Sequence, residues 1–305
     1  MATTTPILSS ASSSPDAPGG ALRGVLWAAF AFFLFASNDA ITKALTARYA
    51  IFQIIALQVT FSVIPIALFV LRQGGGWRAL CPIRPMLTAT RGLLAGIGSV
   101  FGYYAFSTLP LADVYAIQFC VPIVVTLLSI PLLGERVGLH RWAAVLLGFL
   151  GVLVMIRPGA VSLSLGHLAA LGAVFTGAGV TLILRRISRE ERGPALVLSV
   201  VLGLLTVSLP VLPFVFRVPT LADTGLLALS GLLIGTAQFS MLNAFRRAQA
   251  ASVAPIQYTM MVWALVYGLL LFGDPVRPHV LAGAAVVILS SLYIMHRERQ
   301  RGVGA

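Results

Sequence analysis

Residues 92–106 read GLLAGIGSVFGYYAF, and residues 231–245 read GLLIGTAQFSMLNAF. A shift of 139 positions lays the first on the second, and it holds without a gap for all of 87–157 on 226–296. Gly92 falls on Gly231 and Gly96 on Gly235. Ala105-Phe106 falls on Ala244-Phe245, Ile117-Gln118 on Ile256-Gln257, Gly134 on Gly273 and His140 on His279. The preceding stretch repeats more weakly. At a shift of 142, Gly24 meets Gly166, Phe33 meets Phe175, Ala36 meets Ala178 and Lys43 meets Arg185. The chain is one unit written twice.

The unit is apolar. Of 305 residues, 58% are hydrophobic and only 10% charged, too few to coat a soluble protein. Ten apolar segments lie near 24–45, 52–71, 86–106, 113–132, 141–157, 165–184, 194–216, 222–245, 252–272 and 279–296. Each approaches the roughly 20 residues that a helix needs to cross a bilayer. Five segments per copy is an odd number, so the copies insert in opposite directions. The expected fold is an all-α integral membrane protein with ten transmembrane helices in two inverted five-helix repeats. The expected boundaries are a disordered cytoplasmic tail at 1–22, a first repeat at 23–158, a second at 159–297 and a cytoplasmic tail at 298–305. The tail at 1–20 is rich in Ser, Thr, Pro, Ala and Gly and lacks the basic start of a cleaved signal.

The net charge of +12 would suggest nucleic acid in a soluble chain. Here the basic residues sit in short loops between apolar runs, and no nucleic-acid partner is expected. With the N-terminus in the cytoplasm, 16 of the 21 Lys and Arg residues fall on the inner side. The positive-inside rule therefore places both termini in the cytoplasm. Glu135 then faces inward and Asp274 outward. The partners expected are the lipid bilayer and a small-molecule substrate, with the protein a monomer.

Residues 121–158, VPIVVTLLSIPLLGERVGLHRWAAVLLGFLGVLVMIRP, resemble the end of an EamA-type repeat, and 256–294, IQYTMMVWALVYGLLLFGDPVRPHVLAGAAVVILSSLYI, resemble the same unit. Over nearly its full length the chain resembles the drug/metabolite transporter superfamily, nearest to ten-helix bacterial amino-acid exporters of the YddG type. Asp274 stands where that family usually has Glu. The resemblance implies a bacterial inner-membrane location and a cavity between the halves lined by segments 1, 3, 4, 6, 8 and 9. It also implies export of small organic metabolites by alternating access, amino acids first, as half rocks against half. A broad drug exporter or a nucleotide-sugar or vitamin carrier fits the same fold. A membrane-embedded enzyme or an inert scaffold fits less well, and no enzyme activity is expected.

Comparing the copies sorts candidate residues. Features common to both are scaffold: Gly92-x-x-x-Gly96 and Gly231-x-x-x-Gly235 let helix backbones approach closely in lipid. Polar groups held by one copy are candidates for recognition. Asn38 and Asp39 lie inside the first segment. Asp39 and Lys43 are four apart and share a face, so they are expected to pair as a structural or gating element or to meet a charged substrate group. Gln118 and Gln257 are shared, and Tyr115, Gln118 and Pro122 fall on one helical face. These glutamines either bond across helices or line a cavity. Ser99 and Tyr103 are four apart, and Gln238 replaces the serine in the second copy. Trp263 and Tyr267 form another such pair; Trp263 is read as cavity lining and Tyr267 as an interfacial residue. The expected substrate-binding set is Asn38, Asp39, Ser99, Tyr103, Tyr115, Gln118, Gln238, Gln257 and Trp263. Glu135 and Asp274, just before helix starts, suit the positive end of a helix dipole. Cys81, Cys120 and the four scattered histidines form no ligand spacing. No cofactor, metal or ATP site is expected.

Overall fold

The computed structural model describes residues 18–72, 77–133, 164–187, 190–247, 253–275 and 277–300, with isolated positions between 143 and 154. The expected fifth helix at 141–157, Glu135 and most of the terminal tails lie outside the described residues. The helices are α1 (Pro18–Thr46), α2 (Ile51–Arg72), α3 (Pro85–Thr108), α4 (Leu111–Gln118), α5 (Val121–Leu133), α6 (Leu165–Ile187), α7 (Gly193–Ser208), α8 (Leu221–Arg247), α9 (Thr259–Tyr267) and α10 (Pro278–Gln300). Among the described residues there is no strand. Among the described residues, five spans are long and apolar enough to cross a membrane: Leu22–Thr46, Ile51–Leu68, Leu111–Pro131, Leu165–Leu184 and Leu221–Met241. Large apolar side chains such as Leu68, Phe175, Leu202 and Leu229 stay exposed, as a lipid-facing surface requires.

The fourth expected segment is broken. The Cys120 amide bonds to the Ile117 carbonyl at 3.0 Å, a tightened turn, and α5 restarts at Val121. Pro122, with no N–H to donate, cannot continue the ladder from α4. The ninth segment breaks at the matching place: a 3₁₀ turn over Ala254–Tyr258 gives way to α9 at Thr259. Phe119 and Tyr258 are equivalent at the 139-residue shift, and their rings meet edge-on with centroids 5.0 Å apart. A π turn over Gly268–Phe272 then closes on Gly273, which takes a left-handed φ of 63° that favours glycine.

The principal helix pairs join the two repeats rather than the helices within one. α1 and α2 both pack on α8, and α6 and α7 both pack on α3. The result is two mixed bodies, α1–α2–α8 and α3–α6–α7, which touch through α2 and α7. The shared glycines hold each body together. A side chain at Gly92 would run into the Ser199 carbonyl, and one at Gly96 into the Gly203 carbonyl. In the other body, Gly231 lies against the Gln58 carbonyl and Gly235 against Pro65. Backbone meets backbone in both places, where only a residue without a Cβ fits.

Each body also carries a polar staple, at opposite ends of the bundle. Asp223 accepts from Arg48 at 2.8 Å, from Tyr49 at 2.7 Å and from Thr220 at 2.8 Å, fixing the end of α1 to the start of α8. The Asp223 amide donates back to the Thr220 hydroxyl at 3.1 Å, a reciprocal helix cap. Buried Glu191 does the same for α3, accepting from the Ile83 and Arg84 amides at 2.9 Å each and from Thr88 at 3.1 Å. Burial disfavours the Glu191 charge, but these donors and the Arg192 amide outweigh it and hold the carboxyl below its ordinary value of 4.5.

Two outcomes follow from this packing. Gly203→Leu places a side chain against the Gly92 carbonyl and should cost about 1–3 kcal/mol or more, whereas Gly225→Ala meets nothing within 4 Å and should be near neutral. Thermal unfolding in detergent measures both. The depressed pKa of Glu191 means that its stabilisation is full above pH 4.5 and is lost as pH falls through the folded value. Glu191→Gln should therefore lower the melting temperature at neutral pH and flatten its fall on the acid side. An unchanged acid slope would exclude that role.

Candidate functional site

A chain of buried hydrogen bonds crosses the centre of the molecule. Tyr103 on α3 donates to the Gln58 Oε1 on α2 at 2.7 Å. The Gln58 amide donates to Thr42 on α1 at 2.9 Å and to Ser230 on α8 at 2.6 Å. Ser230 donates to the Asn38 Oδ1, and Asn38 donates to Asp39 at 3.1 Å. Tyr115 on α4 closes the chain with a 2.5 Å bond to the other Asp39 oxygen. Five helices from both repeats and both mixed bodies therefore share one polar run. Lipid offers such groups no alternative partners, and bonds of this kind contribute about 0.6 kcal/mol each on average.

Among the described residues, Asp39 makes no ion pair. Its oxygens are held by a phenol and an amide, both uncharged. The expected pair with Lys43 does not form, and this corrects the sequence reading. The two residues share a helical face, but Lys43 lies one turn nearer the end of α1 and finds a closer carboxylate there. Its ammonium meets Asp274 at 2.6 Å, donates to the Leu109 carbonyl at 3.2 Å and lies 4.7 Å from the centre of the Phe272 ring. Asp274 is thus the partner of a lysine from the other repeat. Arg277 lies 3.5 Å from Asp113 nearby. Together these contacts draw α1, the α3–α4 turn and the α9–α10 turn together at the end of the bundle where α1 finishes and α10 begins.

An aromatic wall flanks Asn38 and Asp39. Phe33 meets Trp263 edge-on at 4.8 Å, and Trp263 stacks on Tyr267 at 6.1 Å. Tyr267 shares a 2.7 Å hydrogen bond with Ser37. The structure thus gathers Asn38, Asp39, Tyr103, Tyr115 and Trp263 around the middle of α1. Others in the expected set stand apart. Ser99 bonds back to the Gly96 carbonyl at 2.7 Å within its own helix. Gln118 and Gln257 are half-buried at the two helix breaks, off the polar run. Gln238 is exposed and borders a separate cavity with Gln58 and Arg91.

Sequence reasoning missed Gln58, Thr42 and Ser230, and it set Tyr267 aside as interfacial. A glutamine five residues after Gln53 inside an apolar run was the available signal for Gln58. Gln53 has a structural role: it exchanges two hydrogen bonds with the Arg217 backbone, at 2.6 and 2.9 Å. Trp27 packs edge-on to Phe239 at 6.0 Å with Arg247 over its ring.

The arrangement has the parts of a binding site: a polar run beside an aromatic wall. Among the described residues, no group of three or more His, Cys, Asp or Glu side chains is placed to hold a metal. Residues 22–157 and 164–296 match the EamA-like transporter family. The riboflavin transporter of Rhizobium johnstonii is 31% identical over 293 residues, covering 93% of this chain and 94% of that one. The S-adenosylmethionine uptake transporter of Rickettsia bellii is 25% identical, covering 91% and 94%. The pseudopaline exporter of Pseudomonas aeruginosa is 27% identical, covering 90% and 97%. A solved crystal structure superimposes with a TM-score of 0.64 at 19% identity, covering 91% of this chain and 98% of that chain, which is a likeness of fold. These relatives are named as transporters of small molecules, and the chain, a multi-pass bacterial membrane protein, belongs to the EamA-like transporter family.

Proposed function

We propose that this chain is a secondary transporter that carries a small organic metabolite by alternating access, with an amino acid bearing a flat side group as the first choice of substrate. The observation that carries this reading is Asp39, a carboxylate inside the α1 span that has no ion-pair partner among the described residues, beside the Phe33–Trp263–Tyr267 wall. An acid inside a membrane span is costly, and a fold retains it where a ligand or a proton uses it. A substrate ammonium suits Asp39, and a flat apolar group suits the wall. Asn38, Tyr103 and Tyr115 orient the acid. Ser99, Gln118, Gln238 and Gln257 line the approaches.

The packing supports a particular motion. Rocking one sequence repeat against the other would tear apart the glycine contacts between α3 and α7 and between α8 and α2. The mixed bodies α1–α2–α8 and α3–α6–α7 are the better moving units, with the polar run and the Lys43 cluster as the contacts exchanged between states. The basic-residue count favours cytoplasmic termini, which puts the Lys43 cluster on the outer side, and export is the direction taken here. A second reading has an observation of its own: the 31% identical relative is named a riboflavin transporter, so a vitamin carrier on the same scaffold is the main rival.

Counterflow in liposomes tests both. Labelled amino acids should exchange into vesicles holding the same unlabelled compound, and riboflavin and S-adenosylmethionine belong in the same panel. Exchange of riboflavin alone would select the second reading, and no exchange of any compound would remove the transport claim for this panel. Asp39→Asn and Trp263→Ala should each lower flux by about tenfold or more, equal to about 1.4 kcal/mol of lost interaction, with unfolding temperature little changed. Gln257→Ala should lower flux less. Normal flux in both Asp39→Asn and Trp263→Ala would show that this region is not the site.

A further inference from the structure

A second polar position lies at the seam between the two mixed bodies. A cavity of about 80 Å³ opens among α2, α3, α7 and α8. Its walls are apolar, including Val59, Ile66, Val200 and Leu204. Its polar groups are Gln58, Ser62, Gln238 and one cation, Arg91. Arg91 is fixed rather than reaching away: its Nη1 donates to the Leu196 carbonyl at 2.8 Å and to Ser199 at 3.2 Å. Its Nε–H is buried and has no hydrogen-bond partner. Among the described residues, the ion pairs do not include Arg91.

A guanidinium anchored through Nη1 at the wall of a cavity leaves part of its fork for planar oxygen acceptors. Leaving a buried N–H unmade is costly, and leaving a charge unpaired in a low-dielectric site is costlier. The room beside it matches a carboxylate or phosphate head, with the apolar walls left for a short hydrocarbon or ring. Gln58 belongs to both this cavity and the central polar run, so the two positions are adjacent along one route.

We propose that Arg91 is the docking point for the anionic head, carboxylate or phosphate, of an amphipathic ligand at the α2–α3–α7–α8 seam. The ligand's role as cargo rests on the transport reading above, whereas the anion site does not. The same head chemistry comes from a soluble metabolite or from an anionic phospholipid, and the test separates the two.

Purified protein in phosphatidylcholine nanodiscs is melted with matched pairs: benzoate against benzamide, and riboflavin phosphate against riboflavin. A parallel set of discs contains phosphatidylglycerol. At least one anion should raise the melting temperature where its neutral counterpart does not. Arg91→Gln should weaken that protection by about tenfold or more, Arg91→Lys should retain part of it, and Gln238→Leu, which leaves the bonds of Arg91 intact, should weaken it moderately. Protection by a soluble anion identifies a metabolite head, and protection by phosphatidylglycerol alone identifies a lipid head. Equal protection by the neutral partners, protection by none of the anions, or full protection in Arg91→Gln overturns the assignment. Melting reads binding without flux, so a silent counterflow panel would defeat the transport reading and leave this result standing, and the converse holds.

Discussion

Close approach of backbones at glycine is the constraint on which this molecule is built. In lipid, helices gain little from burying apolar side chains against one another, because the tails are equally apolar. What remains is contact area and hydrogen bonding. Gly92, Gly96 and Gly203 bring α3 and α7 to carbonyl contact, and Gly231 and Gly235 do the same for α8 and α2. Those two seams decide which helices travel together. They divide the bundle across its repeats and leave a gap where the two bodies face each other.

The polar groups then distribute themselves around that division. Asp223 and Glu191 stay inside one body each and act as rivets at opposite ends. Tyr103 and Gln58 bridge from one body to the other at mid-depth. Lys43 ties α1 to the ends of helices from both copies. Charges that stabilise are paired or capped, and charges near the gap are not. Among the described residues, the ion pairs include neither Asp39 nor Arg91.

Much of this was legible in the sequence. The 139-residue shift carried the duplication, the inverted topology and the positions of the packing glycines, because scaffold constraints bind both copies alike. Asn38, Asp39, Tyr103, Tyr115 and Trp263 stood out as polar or amphipathic residues held by a single copy. The partner of Lys43 was not legible. Helical spacing names neighbours on one helix, and it is silent about a turn more than two hundred residues away. Gln58 was overlooked because α2 sits outside the segments that the family resemblance assigns to the cavity. The mixed bodies were hidden for a related reason: a repeat in sequence suggests a unit in space, and here the copies exchange their helices.

Phe119 and Tyr258 touch although they are the same position in the two copies. A residue can meet its own equivalent only on the rotation axis that relates them. An ancestral pair of identical chains would have placed one side chain against itself there, so any change in it was felt twice. Fusion into one polypeptide lifted that restriction. Phenylalanine on one side and tyrosine on the other record a contact free to become asymmetric, and with it a carrier whose two faces need not be mirror versions of a single lock.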